Sequence, residues 1–225
     1  MARNIPPAPS LKRKTDVVDP KVEIYIVCEG KNTEPKYFED CADYYGNGLV
    51  KVKPLRGAGV PMTIVQTAKE LKEELIAARS GKKAKNSFDH CFRVWAVFDK
   101  DEHPEIDRAL AIALESKIDV GFSNPCFELW PLLHLTAYGG QDGRHPLQKR
   151  LKKEMPNYDH DSEAIVDFGQ IKDSFPIALD RAKALLDARA SEQCIHGCPS
   201  TTVGSLVEKI IQNGKKWASR VNTVK

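Results

Sequence analysis

The sequence predicts an α/β fold, a mainly parallel sheet flanked by helices, with a C-terminal helical region. Short apolar, β-branched runs alternate with helical periodicity through the first 140 residues, which is the pattern of βαβ units. Beyond that point only helical periodicity is found. The length of 225 residues supports one sizeable core, and 41% hydrophobic with 29% charged residues is ordinary globular usage, which excludes a disordered or fibrous chain.

Residues 1–20 form a Pro-rich basic lead (Arg3, Lys12, Arg13, Lys14), expected to be flexible up to the first strand. Residues 21–28 alternate briefly and then turn continuously apolar, as a strand buried on both faces does. Glu29-Gly30 interrupts that run, and Thr33-Glu34-Pro35 opens a helix to about Tyr45, with Thr33 as its N-cap. A short strand is expected at residues 49–52. An amphipathic helix follows at 62–79, where Ile64, Val65, Ala68, Leu71, Leu75 and Ile76 recur at helical spacing. Residues 81–85 read as a basic loop. Residues 92–98 are the clearest strand, ending at Asp99-Lys100-Asp101.

Pro104 then starts a helix to about Ser116, and residues 118–122 form a fourth strand. An apolar helix follows at 127–135, in which Pro131 should kink the chain or end the first turn. The remaining helices are expected at 146–155, 171–189 and 201–218. The organisation is thus a basic lead (1–20), an α/β domain (21–140) and a helical region (141–225).

Lys+Arg 34 against Asp+Glu 31 leaves a formal charge of +3, compatible with a nucleic-acid partner without demanding one. No run approaches the roughly 20 apolar residues of a bilayer span, so no membrane partner is expected. Six dispersed cysteines, mostly in apolar runs, suit a reduced compartment. A soluble, cytoplasmic chain is expected.

The chemistry sits at two strand ends. The carboxyl edges of neighbouring parallel strands line one crevice. Glu29 follows the first strand, and Asp99 and Asp101 follow the third; adjacency of those strands is what the site requires. Converging carboxylates repel and are pushed toward protonation, a conflict that Mg²⁺ or Mn²⁺ on oxygen donors removes. Such an ion can polarise a phosphoryl group and orient a water. Acids after strands also cap turns, so the weight lies on the combination of Glu-Gly after one strand and Asp-x-Asp after another.

Glu34 is either a helix-start carboxylate or a metal ligand at the crevice mouth. Glu128, on an otherwise apolar stretch, is expensive to bury unpaired and reads as a ligand or as a support for one. His134 reads as a core histidine. Lys31 and His103 flank the acids and either meet phosphates or stay solvated. Lys149, Arg150, Lys152 and Lys153 lie on one helix and serve either as nucleic-acid backbone contacts or as a solvated face; Lys82, Lys83 and Lys85 carry the same two readings. Cys194, His196 and Cys198 lack the paired spacing of a zinc site. No phosphate-binding glycine loop occurs, so ATP hydrolysis by this chain alone is not expected.

The runs Glu29-Gly-Lys-Asn-Thr-Glu-Pro-Lys-Tyr-Phe38, Val97-Phe-Asp-Lys-Asp-Glu-His103, Ser123-Asn-Pro-Cys-Phe-Glu-Leu-Trp130 with His134, and Pro199-Ser-Thr-Thr-Val203 resemble the successive motifs of the RloB-like family. That family is similar to the Toprim superfamily of nucleases and topoisomerases. The resemblance implies a Toprim-like fold, metal-dependent phosphodiester chemistry on RNA or DNA, and a role in bacterial defence against phage. It also implies a partner ATPase; a homo-oligomer is compatible with it. Glu29 then takes the Toprim glutamate role, and Asp99 and Asp101 the metal-binding pair. Cys198 stands where the family pattern has Asn, and Pro131 interrupts the helix after the third motif. The competing reading is a regulatory or binding subunit that keeps the fold, lacks the chemistry, and acts through the ATPase.

Overall fold

The computed structural model describes residues 22–48, 50–56, 59–80, 91–100, 105–160 and 162–221, apart from the side chains of Arg56 and of residues 215–221. The expected basic lead, the basic loop at 81–85, Asp101 and His103 lie outside the described residues.

Four strands are parallel. β1 (Val22–Cys28) lies between β2 (Val50–Arg56) and β3 (Phe92–Asp99), and β3 pairs with β4 (Asp119–Asn124). The order is β2-β1-β3-β4-β5, with the short β5 (Ser200–Thr201) antiparallel to β4. The apolar runs are continuous because both faces are covered. Ile24, Ile26, Cys28, Trp95 and Val97 face one apolar cluster, while Tyr25, Val27, Val94, Ala96 and Phe98 face another. The second cluster is closed by α2 (Pro61–Arg79) and α3 (Ile106–Glu115). The first is closed by α1 (Thr33–Tyr45), α4 (Leu129–Leu135), α5 (Arg144–Glu154), α7 (Phe175–Ser191) and α8 (Val203–Val221), with the single-turn α6 (Phe168–Ile171) between α5 and α7. Trp130 donates its indole N–H to the Tyr37 hydroxyl at 2.6 Å, tying α4 to α1 through a buried bond.

Several elements differ from the sequence reading. β2 runs on to Arg56 through Pro54, which an edge strand tolerates because its outer side needs no donor. Thr33 is the first residue of α1, not its cap; Asn32 holds the cap position, and its side chain makes no capping bond. Pro131 does not end the helix: α4 starts at Leu129 and runs to Leu135, so the proline falls in the first turn, where an N–H has no intrahelical acceptor. The helix expected at 171–189 is two helices, and Pro176 sits in the first turn of the new one, α7. The region after residue 140 is not purely helical: β5 joins the sheet, and α8 begins after it.

Val203, Leu206, Val207, Ile210 and Ile211 of α8 share the cluster of Ile24 and Trp95. The approach of α8 to α1 is close enough that a Cβ on Gly214 would collide with the Tyr45 carbonyl. No helix among the described residues is long and apolar enough to cross a membrane.

Candidate functional site

Because β1 and β3 are parallel neighbours, their carboxyl ends open on the same edge. Cys28 lies opposite Val97, and the Glu29 N–H continues the ladder by donating to the Val97 carbonyl at 3.0 Å. The Glu29 carboxylate in turn accepts the Asp99 N–H through Oε2, also at 3.0 Å. The two acids are therefore fixed to each other by backbone. Glu34, in the first turn of α1, is buried and accepts the Gly30 N–H at 3.1 Å. The approach is close, since a Cβ on Gly30 would meet the Glu34 carboxylate and force it to move.

The opposite wall comes from later in the chain. Glu128, just before α4, is buried and accepts the Tyr158 hydroxyl at 2.7 Å and the Gln148 amide at 3.3 Å. The same oxygen lies 3.1 Å from His160 Nδ1. Arg144, the first residue of α5, places Nη2 at 3.5 Å from Asp99 Oδ2. Glu29, Glu34, Asp99, Glu128, Arg144, Gln148 and His160 line one cavity of about 230 Å³, together with Gly30, Thr33 and Phe127.

The electrostatics reflect too many acids in too little water. Burial pushes Glu34 up to about 7, helped by the charges of Glu128 and Glu29. Burial pushes Asp99 well above the usual carboxylate range, and Glu34, Glu128 and Glu29 add to it while Arg144 opposes. Glu128 goes the other way. Burial alone would raise it, but hydrogen bonds from Tyr158 and Cys126 and the neighbouring His160 hold it below its ordinary value.

Among the described residues no three His, Cys, Asp or Glu side chains stand ready as a metal-ligand set, and Asp101 lies outside those residues. The four acids that meet in the cavity are nevertheless oxygen donors, beside the imidazole of His160, and burial, with the neighbouring charges adding to it, pushes Glu34 and Asp99 toward the neutral form. In kind, this set fits a hard divalent cation, whose charge would let all of them ionise. Glu29, Asp99 and Glu34 are the residues that would hold it; Glu128 already accepts from Tyr158 and Gln148 and lies against His160.

Of the remaining candidates, Lys31 is exposed between β1 and α1. Lys149, Arg150, Lys152 and Lys153 are exposed on α5, where Arg150 pairs with Glu154 at 3.0 Å and Lys152 with Asp159 at 3.3 Å. His134 is a core histidine, with Nδ1 at 3.1 Å from both the Ile171 carbonyl and the Ser174 hydroxyl, and burial lowers it to about 4. Cys194, His196 and Cys198 form no ligand group. Sequence reasoning missed Arg144, Gln148, Tyr158 and His160. The available signal was Gln148, a polar residue on the buried stripe of Leu147 and Leu151.

A family model described as RloB-like protein matches residues 24–210 of the chain. No curated protein and no solved structure gives a match.

Proposed function

The chain belongs to the RloB-like protein family, and from that premise and the gathered acids we propose that it is a divalent-metal-dependent nuclease cleaving phosphodiester bonds of RNA or DNA. One observation carries the reading: Glu29, Glu34, Asp99 and Glu128 line a single cavity at the shared carboxyl edge of β1 and β3. As a structural device this is poor, because apolar residues of similar volume would be more stable there. As a binding site for a cation and a phosphate it is chemically apt.

Glu29, Asp99 and, by its position after β3, Asp101 would hold Mg²⁺ or Mn²⁺. The ion supplies charge neutralisation and polarises the phosphoryl group when bound. Glu29 lines the cavity, and in this reading it would serve either as a ligand or as the general acid or base for the attacking water. Glu34 gates the charge of the site through its protonation. Gln148, Tyr158 and His160 brace Glu128 and fix the far wall. Lys31 and the exposed basic face of α5 (Lys149, Arg150, Lys152, Lys153) lie on elements that border the cavity and would track the nucleic-acid backbone. The anti-phage role and the partner ATPase implied by the family resemblance, and the cytoplasmic setting expected from the cysteines, belong to the same proposal.

The test is cleavage of labelled tRNA, mRNA, single-stranded and duplex DNA in Mn²⁺, Mg²⁺ or EDTA. Cleavage is expected only with metal, and Asp99→Asn or Glu29→Gln should abolish it while the fold is kept. Wild-type rates in both variants would sink the assignment. A second reading, a silent subunit acting through an ATPase, is favoured by the Arg144 guanidinium on Asp99. It moves ahead if no substrate is cut even with the co-expressed partner.

A further inference from the structure

We propose that Arg144 is a displaceable counter-ion: it neutralises Asp99 while no divalent cation is bound, and turns to a substrate phosphate when one is. The inference rests on the metal-dependent reading of the same cleft and adds how its charge is managed.

The guanidinium Nη2 lies 3.5 Å from Asp99 Oδ2 and faces a cavity with four carboxylates. Helix α5 does not account for it. Arg144 is the first residue of that helix, at the positive end of its dipole, where a cation is disfavoured. Its position is explained by the acids across the cleft. A divalent cation on Asp99 would meet this positive charge a few ångströms away, so the two compete for one carboxylate. The exchange is feasible because the two partners differ in exposure: the Arg144 side chain is 37% accessible and Asp99 only 14%. The Arg144 guanidinium sits at a helix end, with its Nε buried and its side chain partly exposed, whereas Asp99 is the last residue of β3 and is held by its backbone bond to Glu29. A released guanidinium at the mouth of the cleft presents a planar fork that matches two phosphate oxygens. It sits on the helix that carries Lys149, Arg150, Lys152 and Lys153, so the phosphate it meets belongs to a backbone already lying along α5.

The experiment is Mn²⁺ titration of the EDTA-treated, dialysed full chain by calorimetry, for wild type, Arg144→Gln, Arg144→Lys and Asp99→Asn, with thermal melts to show that each is folded. A short labelled oligonucleotide, RNA or DNA, is then titrated in Ca²⁺ across a salt series. Arg144→Gln should bind Mn²⁺ about tenfold more tightly, because a competing charge is gone. The same variant should bind the oligonucleotide more weakly, with its salt slope reduced by about one. Arg144→Lys should keep Mn²⁺ affinity near wild type but lose part of the oligonucleotide affinity, since the fork is missing. Mn²⁺ binding that depends on Asp99 yet is unchanged or weakened in folded Arg144→Gln overturns this proposal alone. Unchanged oligonucleotide binding overturns its phosphate half. Absence of Asp99-dependent Mn²⁺ binding overturns the metal reading, and this one with it.

Discussion

Replacing Glu34 with Gln removes one charge from the crowded cleft and keeps the shape of the side chain, including the oxygen that accepts the Gly30 N–H. In the metal-free protein Glu34 titrates at about 7, against an ordinary value of 4.5. Between those two pH values the folded state holds a proton that the unfolded chain has released, so stability falls as pH rises through the window. At 1.36 kcal/mol per pH unit the gap amounts to about 3 kcal/mol, fully present above pH 7 and absent below 4.5. This is an upper bound, because water entering the cleft on ionisation relieves part of it. Glu34→Gln should therefore stabilise the metal-free protein at pH 8 by up to ~3 kcal/mol and have little effect near pH 4.5. With a urea slope of roughly 2–3 kcal/mol per molar, the midpoint at pH 8 moves up by about 1 M. The assay is urea unfolding in EDTA at several pH values from 4.5 to 8. Equal midpoints at pH 8, or a gap that does not vary with pH, would refute the argument that burial and like charge strain Glu34.

Tyr158→Phe removes the 2.7 Å hydroxyl bond to Glu128 and leaves a buried carboxylate short of a donor. Glu128 is held below its ordinary value, so its contribution is present above the usual carboxylate range and lost as pH falls. The variant should lose about 1–3 kcal/mol at pH 8 and less at pH 4, and an equal loss at both would count against this account. Gly214→Ala drives a methyl into the Tyr45 carbonyl, where backbone cannot give way. A thermal melt should show a loss of about 1–3 kcal/mol, and an unshifted melt would mean that α8 can move off α1 freely. Replacing Lys149, Arg150, Lys152 and Lys153 together should flatten the salt dependence of nucleic-acid binding by about two to four in slope, and an unchanged slope would return them to a solvated face.

The strands were legible where burial on both faces leaves an apolar run, as in β1 and β3. Their adjacency was not, because sheet order depends on how each helix crosses over, and no local pattern encodes that. β2 was read short because Lys51, Lys53 and Pro54 interrupt its apolar pattern; an edge strand can carry all three. β5 has two residues and so no period to read. Glu29 and Asp99 were found because a charge at the end of a buried strand stands out, and Glu128 because it interrupts an apolar stretch. Arg144 and His160 were not, since each lies in a polar neighbourhood where a charge is unremarkable. Only the fold brings them opposite a strand end more than 40 residues away.

The place of α8 in chain order bears on when the cleft exists as well as where. The face of β1 and β3 that carries Ile24, Ile26, Trp95 and Val97 is covered by Val203, Leu206, Val207, Ile210 and Ile211, and β5, which joins the sheet beside β4, immediately precedes them. Until those residues leave the ribosome, that face has only the cover of α1, α4, α5 and α7, and its core is incomplete. Glu29 and Asp99 emerge early and are aligned by the pairing of β1 with β3, but this face of their sheet gains its full cover only with the first half of α8. The two acidic strand ends are thus made long before the last part of the core that supports them.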